Sequence, residues 1–459
     1  PSDDIWKEHN MLDLTKGPIT KSMLLFAGPM ILGNLLQQLY NIADTLIVGQ
    51  FLGPGPLAAV GSSFTLMTFL TSIILGLCMG SGVVFSMLFG AGETDRLKNS
   101  LFISFALIGA AAIVIEILSL ALLSPLLTVL QVPADIRAET GAYLQVIFLG
   151  IFFTFIYNYF ACVLRAIGNS AVPLIFLAIS SVLNIVLDLA FIIVFEMGVA
   201  GAAWATIIAQ GVSAGSIMVY CLLRVPQIRP QKQHLHFERT AAWNIARYSF
   251  LTCIQQSVMN FGILMIQGLV NSFGVSVMAA FAAAVKIDSF AYMPVQDFGN
   301  AFSTFIAQNY GAGKQERIRG GIRSAVFCAL AFCAVVSLIV CLFARPLMLI
   351  FVKPEETQII AIGMQYLRIE GACYAGIGCL FLLYGLFRGI GRPAVSIVLT
   401  VVSLGTRVVL AYLLAPIPAF GLPAIWWAIP IGWFLADFAG LLLYRKAPRQ
   451  KGRLSKQTV

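Results

Sequence analysis

Apolar residues run along this chain in long blocks, broken by short polar stretches. Twelve blocks are long enough to cross a bilayer as helices, near 19–47, 57–89, 97–123, 136–161, 172–195, 198–223, 245–270, 277–310, 322–343, 359–386, 394–415 and 421–444. About 20 apolar residues suffice for one crossing. The pattern predicts an all-α integral membrane protein. The longest polar stretch between blocks, 224–244, lies near mid-chain and reads as a linker between two six-helix halves. Five segments follow: 1–18, a cytoplasmic N-terminal segment; 19–223, a first lobe; 224–244, a cytoplasmic linker; 245–444, a second lobe; and 445–459, a basic cytoplasmic tail.

Composition agrees with that pattern. Of 459 residues, 59% are apolar and 11% charged, against about 25% charged in soluble domains. This excludes a soluble enzyme and a nucleic-acid-binding module. The net charge of +9 is instead read through its distribution. With the N-terminus inside, 23 of the 29 basic residues fall on the cytoplasmic side, as the positive-inside rule requires. Both termini are therefore expected in the cytoplasm. The three histidines lie outside the apolar blocks, and the nine cysteines lie within them without metal-ligand spacing. No cleavable signal peptide is read before the first span, because residues 1–21 are polar.

The halves repeat. Residues 58–59 AA and 90–96 GAGETDR recur as 279–280 AA and 311–317 GAGKQER, at an offset of 221. LRAIGNSAV at 164–172 recurs as FRGIGRPAV at 387–395, at an offset of 223, shared by Gly198/Gly421 and Trp204/Trp427. Repeats of an even number of helices insert in the same orientation, an architecture of transporters.

Carboxylates inside spans cost about 2.5–3.5 kcal/mol each on insertion scales, so each needs a reason. Asp44 lies in the first span, Glu116 in the third and Asp188 in the fifth. Asn184 and Asp188, four apart, share one helix face. Under the repeat, Asp188 meets Ala411 and Asn184 meets Arg407. The acids survive in one half, which favours a specialised site over interhelical hydrogen-bonding glue. Glu116 reads as structural or lipid-interfacial. The second half carries Lys286, Asp288, Asp297, Arg368, Glu370, Arg407 and Asp437, and mutual pairing is the default reading of Lys286, Asp288, Asp297, Glu370 and Arg407 as a polar network.

The segment GPMILGNLLQQLYNIAD at 28–44, the following TLIVGQFLG, the two GAG turns and NIVLD at 184–188 resemble the multidrug and toxic compound extrusion (MATE) family, in its MepA-like and DinF-type bacterial branch. The resemblance implies two pseudo-symmetric six-helix lobes forming a V around a central cavity. It also implies cation-coupled export of amphipathic, often cationic compounds from the bacterial cytoplasmic membrane. In such proteins a cation site uses an aspartate of the first helix, an Asn-x-x-x-Asp of the fifth and a threonine of the sixth. Asp44, Asn184, Asp188 and Thr206 match these positions, and Tyr40 and Tyr143 match flanking tyrosines. Such an oxygen shell suits a hard cation such as Na⁺. A dry carboxylate pair also suits a proton, because mutual repulsion disfavours double ionisation, so Na⁺ and H⁺ both remain open. Pro29 matches a proline where the first helix bends. The glutamate that some branches carry in the seventh helix is replaced by Gln255 and Gln256.

Candidates for lining a drug cavity are Gln37, Phe155, Tyr159, Gln256, Met259, Asn260, Tyr292 and Met293. No cofactor besides the coupling ion, no nucleic-acid partner and a monomer in the lipid bilayer are expected. Alternatives are a lipid-linked precursor flippase of the same superfamily and, more remotely, an intramembrane di-aspartate enzyme.

Overall fold

The computed structural model describes residues 11–129 and 132–446. Residues 1–10 of the expected N-terminal segment and 447–459 of the basic tail lie outside the described residues. The helices are α1 (Ile19–Leu52), α2 (Pro54–Ala91), α3 (Thr94–Ala121), α4 (Leu123–Val129), α5 (Ala134–Phe148), α6 (Ile151–Ala166), α7 (Ala171–Leu189) and α8 (Gly198–Arg224). They continue as α9 (Arg239–Asn271), α10 (Val275–Gly311), α11 (Gln315–Leu342), α12 (Ala344–Leu349), α13 (Thr357–Ala372), α14 (Tyr374–Gly389), α15 (Pro393–Leu414) and α16 (Gly421–Lys446). No strand occurs among the described residues.

Ten of these helices are long and apolar enough to cross a membrane. Two bent pairs complete twelve spans: α5 with α6, at 44°, and α13 with α14, at 52°. Here the structure corrects the continuous spans expected over 136–161 and 359–386. Each bent pair taken together is still apolar enough for a span, so apolar length did not mark the break. The breaks at Gly150 and Cys373 are themselves related by the 223-residue offset. The repeat also governs the turns. Gly92 and Gly313, with φ of 73° and 69°, end the equivalent helices α2 and α10, a left-handed conformation that glycine adopts without steric cost.

A break leaves backbone N–H groups without helical partners. In the first half Glu116 meets this need: its Oε2 accepts the Phe152 N–H at 3.0 Å, in the first turn of α6. The charge sits at a helix N-terminus, where it is favourable. Glu116→Ala is expected to destabilise the protein by about 1 kcal/mol, the scale of a lost N-cap, with transport retained. A lowered thermal midpoint in detergent, beside unchanged efflux, checks this.

Among the described residues the chain divides into two compact units: residues 11–13 with 28–253, and residues 14–27 with 254–446. The division falls within α1, at Ala27/Gly28 beside Pro29, and within α9, at Cys253/Ile254. Inside the first unit, α2 and α9 meet backbone to backbone: Gly76 faces Thr252 and Cys253, and Gly80 faces Tyr248 and Ser249. Small residues four apart permit such approaches between membrane helices.

The duplicated GAG turns anchor different segments. In the first unit, Asn99 Nδ2 donates to the carbonyls of His234 (3.0 Å) and His236 (2.8 Å). His234 is buried. Its Nδ1 accepts the Gln231 N–H, so its Nε2 carries the proton and donates to Asp95 at 3.0 Å. The segment before α9 is thereby fastened to the start of α3. In the second unit, Arg317, the repeat counterpart of Arg96, donates to the carbonyls of Leu14, Lys16 and Gly17 at 2.7–3.0 Å. This fastens the segment before α1.

Candidate functional site: a carboxylate pair in the first unit

The helix that carries Asp188 is amphipathic in an inverted sense. On α7 the buried positions include Ser180, Ser181, Asn184 and Asp188, while Ile175, Ile179, Val182 and Val186 are 53–64% exposed. In water such a helix would turn its polar face outward. In a bilayer the aliphatic face meets lipid and the polar face must find partners inside the protein. The last turn then widens into a π segment, Ala190–Val194, directly after Asp188. Such wide turns concentrate at functional sites. No feature singled out in the sequence marked this one.

The buried face of α7 packs against α8, and α1 brings Asp44 to it. Asp44 lies against Asp188, close enough for their side chains to interact. Tyr40 and Tyr143 stand within electrostatic reach of both carboxylates. Asn184 Nδ2 donates to Thr206 Oγ1 at 3.4 Å, and Thr206 donates in turn to the Ala202 carbonyl at 3.0 Å. Asp188 and Asn184 are 0% and 2% exposed. The six residues named in the sequence therefore come together in one unit.

Their hydrogen bonding is incomplete in one direction only. Asp188 Oδ1 and Oδ2, Asn184 Oδ1 and Asp44 Oδ1 are buried without a hydrogen-bond partner. All four are acceptors. A buried acceptor left unpaired costs about 1–3 kcal/mol, more when charged. Among the described residues, no lysine or arginine charge stands beside Asp44 or Asp188. An acceptor-only cluster of carboxylate and amide oxygens fits a hard monovalent cation or a proton.

The other candidates scatter. Phe155 and Tyr159 were expected as cavity lining, and the structure corrects both. Phe155 is fully buried, and the Tyr159 hydroxyl donates to the Leu101 carbonyl at 2.7 Å, inside a cluster with Phe85, Phe105 and Phe160. They fill the core of the first unit. Gln37 is exposed, and Gln256, Met259, Asn260, Tyr292 and Met293 are half-buried. The expected second-half network separates as well. Lys286 is exposed, and Asp288, Glu370 and Arg407 gather without it. Asp297 is buried on α10.

Duplicated helical halves, spans broken at equivalent places and buried carboxylates within the spans together define a secondary-transporter class of membrane protein. The chain belongs to the MATE family: the MatE family model matches residues 29–190 and 250–413, both halves of the duplication. It is 31% identical over 395 residues to the probable multidrug resistance protein YpnP of Bacillus subtilis, covering 85% of this chain and 87% of that protein. It is 28% identical over 418 residues to the probable multidrug resistance protein NorM of Thermotoga maritima, covering 89% and 88%. Against a solved outward-facing structure of a multidrug resistance MATE family transporter of the MOP superfamily, the TM-score is 0.88 at 25% identity, covering 95% of this chain and 97% of the other.

Proposed function

We propose that this protein is a cation-coupled antiporter that exports amphipathic, often cationic organic compounds by alternating access, with Na⁺ or H⁺ held at Asp44, Asn184, Asp188 and Thr206. The observation that carries the reading is the surplus of buried, unpartnered acceptors around Asp44 and Asp188. The names of its relatives, a probable multidrug resistance protein and a multidrug export protein, supply the substrate class. Coupling needs no contact between ion and drug. It needs only that the two ligands prefer different conformations of one protein, and linkage then makes each weaken the other's binding equally. The helix-1 proline, Pro29, beside the place where α1 passes from one unit to the other, is the position at which α1 bends between those conformations.

Proteoliposomes loaded with ethidium test the reading. An inward Na⁺ gradient or an inward H⁺ gradient is expected to drive dye efflux, and the effective gradient identifies the ion. Efflux indifferent to both would overturn the reading.

The same reading places the protein in the bacterial cytoplasmic membrane with its linker inside. Gln233 is exposed on that linker. In a cysteine-free background, Gln233→Cys is expected to resist a membrane-impermeant maleimide in intact cells and to react after permeabilisation. Labelling from outside would reverse the topology.

A further inference from the structure

The two GAG turns fasten their segments with different chemistry. At the offset of 221, Glu93 meets Lys314, Arg96 meets Arg317 and Asn99 meets Gly320. In the first unit Arg96 pairs with Glu93 at 2.6 Å. In the second unit a lysine replaces that glutamate, and Arg317 turns to the segment before α1. Lys314 Nζ adds a bond to the Thr15 carbonyl at 2.8 Å, and Asn309 Nδ2 one to the Leu14 carbonyl at 3.1 Å. Lysine, arginine and asparagine keep their charge between about pH 5 and 8, so this clasp has no reason to respond to pH there.

The clasp of the first unit closes on a histidine instead. His234 is 3% exposed, and both of its ring nitrogens are engaged. Nδ1 accepts the Gln231 N–H at 3.1 Å, and a backbone N–H can only donate. The arrangement therefore needs a neutral ring. A second proton would go to Nδ1, make both nitrogens donors and set N–H against N–H at Gln231. It would also place a charge in a buried position, which is costly without strong pairing. The carboxylate facing the ring, Asp95, has a side chain 83% exposed, and an exposed ion pair is worth little. From α3 the other charged groups are Lys98 and the Glu93–Arg96 pair. On its own segment are Lys232, His236 and Glu238, the first two exposed. The turn at Pro226–Ile228, which also packs on α3, carries no titratable side chain. His236 is the contrasting case. Its Nδ1 faces the Gln233 carbonyl at 2.9 Å and so already donates. A second proton there goes to Nε2 and leaves that bond intact.

We propose that His234 is an acid-released catch: its neutral ring holds the segment before α9 on α3, and its protonation lets that segment go. Histidine is the side chain that ordinarily changes charge between about pH 5 and 8. The catch is closed at the upper end of that range and opens as the pH falls. The segment leads directly into α9, the helix that divides at Cys253/Ile254, so the surrounding pH acts on how the start of α9 is held. That the pH sensed is the cytoplasmic one rests on the topology proposed above. The release itself is measured on purified protein at one pH throughout, so a reversed topology would leave it standing.

The test uses purified, monodisperse full-length transporter in a cysteine-free background. A single nitroxide is placed at Leu235→Cys, beside the first clasp, or at Lys16→Cys, within the second. Lowering the pH from about 8 to about 5 is expected to raise the ratio of mobile to immobile label at 235 by about tenfold, the equilibrium factor of one lost hydrogen bond. The label at 16 should not respond. His234→Asn retains an oxygen acceptor for the Gln231 N–H and takes up no proton, so the label at 235 should become indifferent to pH. His236→Gln should keep the response. Asp95→Asn keeps an acceptor for Nε2–H and removes the charge that steadies the protonated ring. It should raise the mobile fraction at pH 5 and not at pH 8. Asp188→Asn should keep the response, because His234 and not the carboxylate pair closes the catch. No acid response in the folded parent, a response that survives His234→Asn, or one lost in Asp188→Asn would overturn the proposal.

Discussion

Asp188→Asn is expected to abolish gradient-driven export and leave the protein folded in the membrane. Asp188 is completely buried, with neither carboxylate oxygen hydrogen-bonded. The amide has nearly the same shape, so packing against α8 survives. It lacks the charge, and one of its two acceptors becomes a donor. A cation that needed that carboxylate loses roughly 3 kcal/mol or more, which is about 100-fold or more in affinity, and coupled efflux should fall by at least that factor. Stability should hold or rise, because a buried charge costs several kcal/mol in desolvation. Asp44→Asn should act alike. Dye efflux from proteoliposomes, read beside size-exclusion profiles, separates the two effects. Undiminished transport by both variants would make the pair interhelical glue and nothing more.

Gly80→Leu is expected to prevent assembly of the first unit. A Cβ at Gly80 would stand 2.6 Å from the Tyr248 carbonyl carbon, and one at Gly76 would stand 2.6 Å from Cys253 Cα. Both obstacles are backbone, which cannot swing aside as a side chain can. The helices α2 and α9 would have to part, losing close packing along their contact. Overpacking costs about 1–3 kcal/mol when side chains can adjust. With backbone in the way, more than about 4 kcal/mol is expected, in the exceptional range for one substitution. Gly215→Ala supplies the control, since nothing lies within 4 Å of a Cβ there. Loss of the monodisperse peak for Gly80→Leu, with Gly215→Ala unchanged, is the predicted outcome. Equal yields would show that α2 and α9 tolerate separation.

Much of the fold was legible because hydrophobic length is an absolute requirement in a bilayer and duplication leaves a fixed offset. Twelve apolar blocks and two collinear repeats needed no contacts to be seen. The MatE match over 29–190 and 250–413 follows the same two halves. The spacing of Asn184 and Asp188 placed them on one face, because 3.6 residues make a turn. Glu116 was visible as costly, but only the break between α5 and α6 shows which N–H it serves.

The directions in which helix faces point were not legible. In a soluble helix, apolar residues turn inward and polar ones outward. In a membrane helix, lipid and protein core are equally apolar, so Phe155 and Tyr159 look the same whether they line a cavity or fill a core. Tertiary packing put them in the core. It also broke the fourth and tenth spans inside blocks apolar enough to read as continuous, and it divided α1 and α9 between the two units. Sequence settled the number of spans and which of them carry acids, because both are matters of local composition. That Asp44 meets Asp188, and that Tyr366 and Tyr374 reach Asp288, depends on helices distant in sequence, and only their packing brings those groups together.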